Sequence, residues 1–286
     1  MRFTNWLSQL WVGRFESKRY ALHHRYRGRM TRDGTIVSMK GIHKTYGEVV
    51  ALEDANLELR RGEVLGLAGD NGAGKSTLIK CLAGAVEPDR GTILMNGEPV
   101  DISTPRVAKD LSIETTFQQL ALAENLTVTQ NVFLGREDVA GVGGFGVLNK
   151  TSMRERAEEL LAELEIGVDP EAEVSGLSGG EQQLVAISRT LLSDPKIVIM
   201  DEPTSALSVE GADRVLNLIR RMRCRGISIL LISHNIEYMK KVADRIQVLH
   251  HGRDAGVVDA ETATRDKLVS LMISGSRSNE EAESPA

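Results

Sequence analysis

The sequence predicts an α/β fold built around a mostly parallel β-sheet, and three observations support this prediction. After residue 195, the short β-rich runs IVIM, ILLIS and RIQVL are separated by helical stretches, as in consecutive βα units. Earlier in the chain, the run EVLGLAG ends in glycine and precedes a helix that we expect to begin near Lys75. From residue 35, the runs TIVSMKGI and VVALEDANLEL are typical of strands, the second with alternating apolar positions.

The middle of the chain is predicted to be mostly helical. Residues 91–100 are typical of a further strand and turn, but helical patterns dominate from about residue 104 to residue 195. They include a strongly charged helix from Met153 to Ile166, which follows a glycine-rich loop at 141–146. The last residues are polar and acidic and cannot pack. We therefore expect the folded domain to end at residue 275 and a disordered tail to occupy 276–286.

The segment LSGGEQQLVAISRTLL, residues 177–192, contains an unusual helix start. Ser178 and Glu181 form a predicted capping box, and the Asp-Pro dipeptide at 194–195 ends the helix. Gly179 and Gly180 lie in the first turn, where each lowers helix stability by up to about 1 kcal/mol relative to alanine. We infer that another group approaches the backbone closely there. An anion suits a helix start whose amides are uncovered.

Composition and charge exclude several classes of protein. Hydrophobic residues make up 41% and charged residues 26%, as in ordinary globular domains, and no apolar run is long enough to span a bilayer. The two cysteines do not make a disulfide or metal framework. Residues 1–29 contain seven Lys or Arg and one acid, giving +6, so the remainder carries −11 of the formal total of −5. So acidic a body argues against nucleic-acid binding.

Residues 69–77, GDNGAGKST, contain the phosphate-binding pattern G-x-x-x-x-G-K-[ST] between a predicted strand and a predicted helix. The glycines allow backbone amides to curve around a phosphate chain. Lys75 can reach the β- and γ-phosphates, and the Ser76 hydroxyl can bind Mg²⁺. Because the flanking elements are those that the pattern requires, the motif predicts a nucleotide site. The expected nucleotide contacts are Gly69, Asp70, Asn71, Gly72, Ala73, Gly74, Lys75, Ser76 and Thr77.

Two later motifs supply the side chains that hydrolysis needs. Asp201 and Glu202 follow the run IVIM, at the carboxyl end of a predicted strand. An Asp there can hold Mg²⁺, usually through water, and a carboxylate one residue later can face the attacking water. His234 follows the run ILLIS at the same predicted edge, where it could donate to the γ-phosphate. Each motif is weak alone, but their combination with the phosphate loop predicts a nucleotide-hydrolysing site.

The motifs GDNGAGKST, LSGGEQQ, VIMDEPTSAL and LISHN, in this order, resemble those of the nucleotide-binding subunits of ATP-binding cassette (ABC) transporters. The resemblance covers residues 35–275 and implies a P-loop NTPase fold. Its parts would be a RecA-like, mostly parallel sheet core, an antiparallel β subdomain and a helical signature subdomain at about residues 119–193. By the same resemblance, Tyr46 stacks on adenine, and Gln118, rather than Gln119, contacts Mg²⁺ and senses the membrane partner.

The resemblance also accounts for the two glycines of the LSGG segment. In this family the LSGG helix start binds the γ-phosphate of the ATP that the other subunit holds. Ser178, Gly179 and Gly180 are thus implied to contact a neighbour's nucleotide, and two cassettes close around two ATP molecules. Since this chain has a single cassette, a homodimer is the simplest expectation.

Within the family, the segments VVALEDANLEL, GAVEPDRG and NVFLGRE resemble importers of simple sugars such as ribose, xylose and fructose. The resemblance implies an ATPase that uses ATP and Mg²⁺ at the cytoplasmic face of the inner membrane. Its partners would be permease subunits and, indirectly, a periplasmic sugar-binding protein. The alternatives are an ABC ATPase for another substrate, a soluble ABC protein acting on ribosomes or DNA, and a degraded regulatory cassette. The acidic body argues against the soluble protein, and the full set of catalytic positions against the degraded cassette.

Residues 1–34 are expected to form a separate basic extension, either disordered or helical. Its apolar residues at helical spacing beside basic ones are Phe3, Trp6, Leu7, Leu10 and Trp11. Such a pattern suits an anionic membrane surface. The abrupt change in composition near Met30 favours the other interpretation, in which the extension is dispensable for ATP hydrolysis and uptake.

Overall fold

The computed structural model describes residues 34–116, 120–140 and 147–275. The predicted extension before Gly34, the residues Gln118 and Gln119, the glycine-rich loop at 141–146 and the predicted tail at 276–286 lie outside the described residues. The strands are β1 (Thr35–Tyr46), β2 (Val49–Arg60), β3 (Val64–Ala68), β4 (Arg90–Met95), β5 (Glu98–Val100), β6 (Ile113–Thr116), β7 (Val139–Ala140), β8 (Val147–Leu148), β9 (Ile197–Asp201), β10 (Ser228–Ile232), β11 (Arg245–His250) and β12 (Arg253–Asp259). The helices are α1 (Lys75–Leu82), α2 (Pro105–Asp110), α3 (Val128–Phe133), α4 (Lys150–Glu163), α5 (Gly179–Leu191), α6 (Val209–Cys224), α7 (Ile236–Val242) and α8 (Arg265–Ser274).

The central sheet contains six strands in the order β12-β11-β3-β10-β9-β6. The strands from β11 to β6 are parallel, and β12 pairs antiparallel with β11. Alternate residues of β3, β9 and β10 pack into two different hydrophobic clusters, one with α1 and the other with α5 and α6. Both faces are therefore covered, which explains why every residue of β3 and β10 is buried. The prediction of an α/β fold with a mostly parallel sheet is confirmed.

A second sheet, antiparallel and four-stranded, has the order β2-β1-β4-β5. Its inner face shares one hydrophobic cluster with α1, in which Ile42 and Leu52 of the sheet pack with Leu78 of the helix. The long strands β1 and β2 alternate buried and exposed residues along much of their length, as expected when one face covers a core. The predicted antiparallel β subdomain is confirmed, and it holds α1 between two sheets.

The segment between residues 104 and 195 differs in part from its prediction. It contains α2 to α5, but also the strand β6 and the short hairpin β7–β8, which the mostly helical prediction missed. β6 has the sequence IETT, with no apolar alternation, and it becomes a strand by pairing with β9. Its Glu114 is buried and forms an ion pair with Arg136 at 2.6 Å. The local sequence of β6 indicates neither its pairing with β9 nor the ion pair with Arg136.

The charged helix α4 also begins and ends earlier than predicted. It starts at Lys150 rather than Met153, because the Asn149 side chain caps it by accepting a hydrogen bond from the Ser152 amide at 3.2 Å. It ends at Glu163 rather than Ile166, and Glu165 just beyond it has a φ of 52°, which leaves the right-handed helix. The cap and the break thus shift the helix by one turn towards the amino terminus.

Candidate functional site

The predicted site motifs follow three neighbouring strands of the central sheet. Ile232 at the end of β10 is aligned with Asp201 at the end of β9 and with Leu67 in β3. Because these strands are parallel, the loops that leave their carboxyl ends start at one edge of the sheet. The structure therefore brings the phosphate loop, the acidic pair and His234 to a common edge.

The phosphate loop, residues 69–77, connects β3 to α1. Gly69, Gly72 and Gly74 have φ values of 150°, 82° and 98°, which side chains rarely permit. A Cβ atom on Gly69 would lie 2.3 Å from the Leu249 carbonyl oxygen, and one on Gly74 would lie 2.6 Å from that of Ala51. Gly74 is also the N-cap of α1, with no side chain bonded to the first amides of the helix. These amides can therefore bind an anion.

Lys75, the first residue of α1, is buried, with 6% of its surface exposed. Its ammonium group donates hydrogen bonds to the backbone carbonyls of Gly69 at 2.7 Å and Asp70 at 2.9 Å. Burial lowers the pKa of Lys75, and the nearby carboxylates of Glu202, Asp70 and Asp201 oppose this shift. The ammonium group is thus held across the loop at the position where phosphate oxygens would compete for its protons.

Glu202 adopts a strained backbone conformation directly after β9. Its φ is 51°, uncommon for a residue with a side chain, and its amide donates to the Ile232 carbonyl at 3.0 Å. Oε1 of Glu202 is buried without a hydrogen-bond partner among the described residues and lies 3.4 Å from Nε2 of His234. Burial raises the pKa of Glu202, although His234 opposes the shift. A carboxylate in this state can accept a proton from water near neutral pH.

Asp201 and His234 complete this edge. Asp201, the last residue of β9, is partly exposed, and burial raises the pKa of its carboxyl while Lys75 opposes the shift. His234 is half-exposed and lies between Ser233, which is buried, and Asn235, which caps α7. Both side chains are therefore partly exposed at the edge of the sheet where the phosphate loop begins.

Tyr46 lies at the end of β1 in the hairpin to β2, and 47% of its surface is exposed. The neighbouring valines of the hairpin, Val49 and Val50, are also exposed, and the Lys44 ammonium lies 5.8 Å from the centre of the tyrosine ring. The next residue after Val50, Ala51, contacts the phosphate loop. The exposed ring thus belongs to the strand pair that borders the loop.

The LSGG helix start, residues 178–180, packs against α6. Ser178 is the N-cap of α5, and a Cβ on Gly180 would lie only 3.0 Å from Cα of Gly211 in α6. A Cβ on Gly179 would meet its nearest neighbour, a methyl of Leu207, at 3.8 Å. Among the described residues, the close backbone approach inferred from the sequence is therefore made by α6 at Gly180, whereas Gly179 leaves an open face. No backbone hydrogen bond links this start to the phosphate loop within 34–116, 120–140 and 147–275.

The predicted role of Gln118 stays a prediction, and the sequence missed one contact of the phosphate loop. Gln118 follows β6, which ends at the same edge because Thr116 is aligned with Met200, but Gln118 itself lies outside the described residues. The turn between β11 and β12 was missed: the Gly252 amide donates to the Ala73 carbonyl in the phosphate loop at 3.0 Å. The φ of Gly252, 75°, marks a turn, but its sequence, HHG, gives no sign of a contact with a loop nearly 180 residues earlier.

A strand, a glycine loop that caps a helix and carboxylates at the end of a neighbouring parallel strand together define a P-loop NTPase fold. Residues 52–205 match the family model described as ABC transporter. The chain is 43% identical over 238 residues to a ribose import ATP-binding protein of Rubrobacter xylanophilus, across 83% of this chain and 47% of that protein. It is 41% identical over 252 residues to a fructose import ATP-binding protein of Rhizobium meliloti, across 86% of this chain and 97% of that protein. The chain belongs to the ABC transporter family.

The solved structures give the same assignment of fold. A dimeric ATP-binding cassette in a post-hydrolysis state, bound to ADP and Pi, superposes with a TM-score of 0.66 at 27% identity, across 79% of this chain and all of that chain. The chain spans about half the length of the ribose relative and nearly all of the fructose relative. In the described part of the chain, no helix is both long and apolar enough to cross a membrane.

Proposed function

We propose that this protein is the ATP-hydrolysing subunit of an ABC importer for a simple sugar. The observation that carries the proposal is the common edge at which the phosphate loop, Asp201, Glu202 and His234 meet. The ribose and fructose import proteins described above support the sugar class, because both are about 40% identical to this chain over its ATP-binding domain. That domain is residues 35–275, with a helical subdomain at about 119–193, the extension at 1–34 and the tail at 276–286.

The geometry fits a nucleoside triphosphate with Mg²⁺. The amides at the start of α1 and the Lys75 ammonium hold the phosphates, and Tyr46 offers an exposed aromatic face for the adenine. Among the described residues, no three His, Cys, Asp or Glu side chains form a metal cage, but Mg²⁺ commonly takes one or two protein ligands and completes its shell with phosphates and water. Ser76, Asp201 and Gln118 are the residues that would hold it. The ion would supply positive charge at the β- and γ-phosphates.

Three side chains have separate roles in the hydrolytic step. Glu202 holds the attacking water and removes its proton, since its buried Oε1 has no hydrogen-bond partner among the residues described. His234, 3.4 Å from that oxygen, orients the carboxylate and donates to the γ-phosphate. Lys75 stabilises the negative charge on the transferred phosphoryl group.

The second half of each site comes from a second copy of this chain. Ser178, Gly179 and Gly180 form a helix start whose open side faces away from α6. The first-turn amides on that side can bind another molecule's γ-phosphate, with the Ser178 hydroxyl beside them. The dimeric cassette among the solved structures supports this arrangement. The further partners are membrane permease subunits, on which the dimer docks from the cytoplasmic face, and a periplasmic sugar-binding protein that delivers the substrate.

The dimer is tested by light scattering on Glu202→Gln protein, in which slow hydrolysis preserves bound ATP. Mg-ATP should convert this protein from monomer to dimer. Adding Ser178→Arg should prevent the conversion without abolishing ATP binding to the monomer. Ser175→Arg, an equal change at an exposed serine one turn before α5, is the matched control and should still dimerise. A monomer in saturating Mg-ATP for both Glu202→Gln and the control would refute a self-sufficient homodimer.

The substrate class is tested by uptake. Cells that lack this subunit but express its permease and binding protein should lose uptake of one labelled simple sugar, and the intact chain should restore it. The Glu202→Gln chain should not restore uptake. Restoration of transport for an unrelated solute, with none for ribose, xylose or fructose, would retain the ATPase and refute the sugar assignment.

A further inference from the structure

The hydroxyl of Ser178 is already engaged by a residue of its own helix. Its Oγ donates to Oε2 of Glu181 at 2.7 Å, and the Ser178 amide donates to the same oxygen at 2.9 Å. The Glu181 amide in turn donates to Oγ at 3.4 Å. The hydrogen of the hydroxyl therefore points into the helix start, and a lone pair is left on its open side.

The ionisation of Glu181 fixes the direction of this hydrogen bond. The hydrogen bonds from Ser178 lower the pKa of Glu181, so the carboxylate has no proton of its own to donate at neutral pH. The other carboxylate oxygen lies 3.8 Å from the guanidinium of Arg214 in α6, which also pairs with Glu210 at 2.8 Å. Glu181 is thus held between the helix start and α6, with its acceptor turned towards the hydroxyl.

An anion at the open side of this helix start meets two unfavourable features. A γ-phosphate oxygen needs a donor, but Ser178 presents a lone pair to it as long as the hydroxyl donates its hydrogen bond to Glu181. Only the Ser178 hydroxyl would separate the negative carboxylate from the negative phosphate, and like charges repel. The first-turn amides and the helix dipole still attract the anion, so Glu181 weakens the contact without removing it.

We propose that Glu181 is a positioning residue that withholds the Ser178 hydroxyl from the γ-phosphate of the partner's ATP and so limits how tightly the closed dimer forms. This inference rests on the proposed cassette dimer. Closure requires the hydroxyl to exchange its carboxylate acceptor for a phosphate oxygen, while the Ser178 amide and Arg214 keep Glu181 in place. The residue then favours reopening of the dimer after each round of hydrolysis.

Glu181→Gln separates this role from capping. Glutamine serves equally well at the third position of a capping box, so the helix start keeps its structure. Its carbonyl oxygen takes the place of Oε2 but carries no charge, so it holds the hydroxyl hydrogen less strongly than the carboxylate does, and the phosphate can take that hydrogen bond instead. One additional hydrogen bond to a charged group corresponds to about a tenfold change in an equilibrium constant. Because the symmetric dimer contains two such contacts, the protein concentration for half-maximal dimerisation should fall by about a hundredfold.

The experiment measures ATP-driven dimerisation by light scattering in the Glu202→Gln background, with Glu181→Gln as the test. Glu210→Gln is the matched control, because it removes the same charge from the other carboxylate partner of Arg214 without contacting Ser178. Binding of ATP to the dilute monomer should be equal in all three proteins. Only Glu181→Gln should dimerise at lower concentration; an equal shift in the control would assign the effect to general charge and overturn the proposal.

Glu181→Ala provides a readout that a merely structural role would not give. It removes one half of the capping box and should lower the melting temperature, yet it also releases the hydroxyl and should still dimerise at lower concentration than the parent. Weaker dimerisation of Glu181→Ala together with no change for Glu181→Gln would reduce Glu181 to a cap and refute the inference. If even the Glu202→Gln parent stays monomeric with ATP, the dimer itself fails and the inference falls with it.

Discussion

The carboxylate of Glu202 has a proposed catalytic role, and its buried charge should lower the stability of the fold. Glu202→Gln tests both effects in one variant. Its Oε1 is buried without a hydrogen-bond partner in the part of the chain described, and burial raises the pKa of the carboxyl. Glutamine has nearly the same shape but carries no charge and cannot take a proton from water. The substitution is therefore expected to slow hydrolysis and, at the same time, to stabilise the fold.

The two effects differ in size. Loss of a general base lowers a rate by about 10²–10⁴-fold, so hydrolysis by Glu202→Gln should fall at least about a hundredfold, or roughly 2.7 kcal/mol in activation free energy. Burying an ionised carboxylate costs more than burying an amide in the same place, by on the order of 1 kcal/mol for a partly exposed group. The melting temperature should therefore rise by about 2–4 °C in a domain of this size.

The stabilisation should depend on pH in a defined direction. Because the pKa of Glu202 is raised above the ordinary value of 4.5, the native protein binds this proton at a higher pH than the unfolded chain does. The ionised carboxylate thus destabilises the fold at neutral pH, and the penalty disappears as the pH falls towards 4.5. The difference in melting temperature between Glu202→Gln and the wild type should be largest at neutral pH and shrink on acidification. Hydrolysis by the wild type should fall over the same range.

The assays are phosphate release at saturating Mg-ATP and thermal unfolding over a series of pH values. Glu237→Gln, which neutralises an exposed glutamate three residues beyond His234, is the control and should change neither quantity. Near-normal turnover by Glu202→Gln would remove this residue from the role of base. A lower melting temperature at every pH would refute the reasoning that its buried charge destabilises the fold.

Three further predictions follow from contacts described above. Gly180→Ala should lower the free energy of unfolding by about 1 kcal/mol through its contact with Gly211, whereas Gly179→Ala should not; equal urea midpoints for the two variants would contradict the packing. Tyr46→Ala should weaken ATP binding about tenfold by calorimetry and Tyr46→Trp should preserve it, since stacking on a base is worth about 1–3 kcal/mol; equal affinities would exclude stacking. Lys75→Ala should lose ATP binding in the same assay, and retention of wild-type affinity would exclude its contact with the phosphates.

The sequence predicted the parts of the site that lie in short, contiguous segments. The phosphate loop, Asp201 with Glu202, and His234 could each be placed because a buried strand precedes them and parallel strands end together. What could not be predicted depends on distant parts of the chain. The contact of Gly180 with Gly211 joins two helices, and the strained φ of Glu202 follows from its amide's hydrogen bond to a neighbouring strand. The strand β6 exists only because β9 pairs with it.

The backbone contacts around the phosphate loop bear on how its affinity arises. The Leu249 carbonyl lies against Gly69, the Ala51 carbonyl lies against Gly74, and the turn after β11 donates to Ala73. Because these contacts use main-chain atoms, the shape of the loop is set during folding, when its conformational entropy is lost. Binding then gains the full attraction of the amides for phosphate, as in any preorganised receptor. Substitutions that weaken nucleotide binding should therefore also occur in the strand and the turn that contact the loop, outside the predicted phosphate contacts.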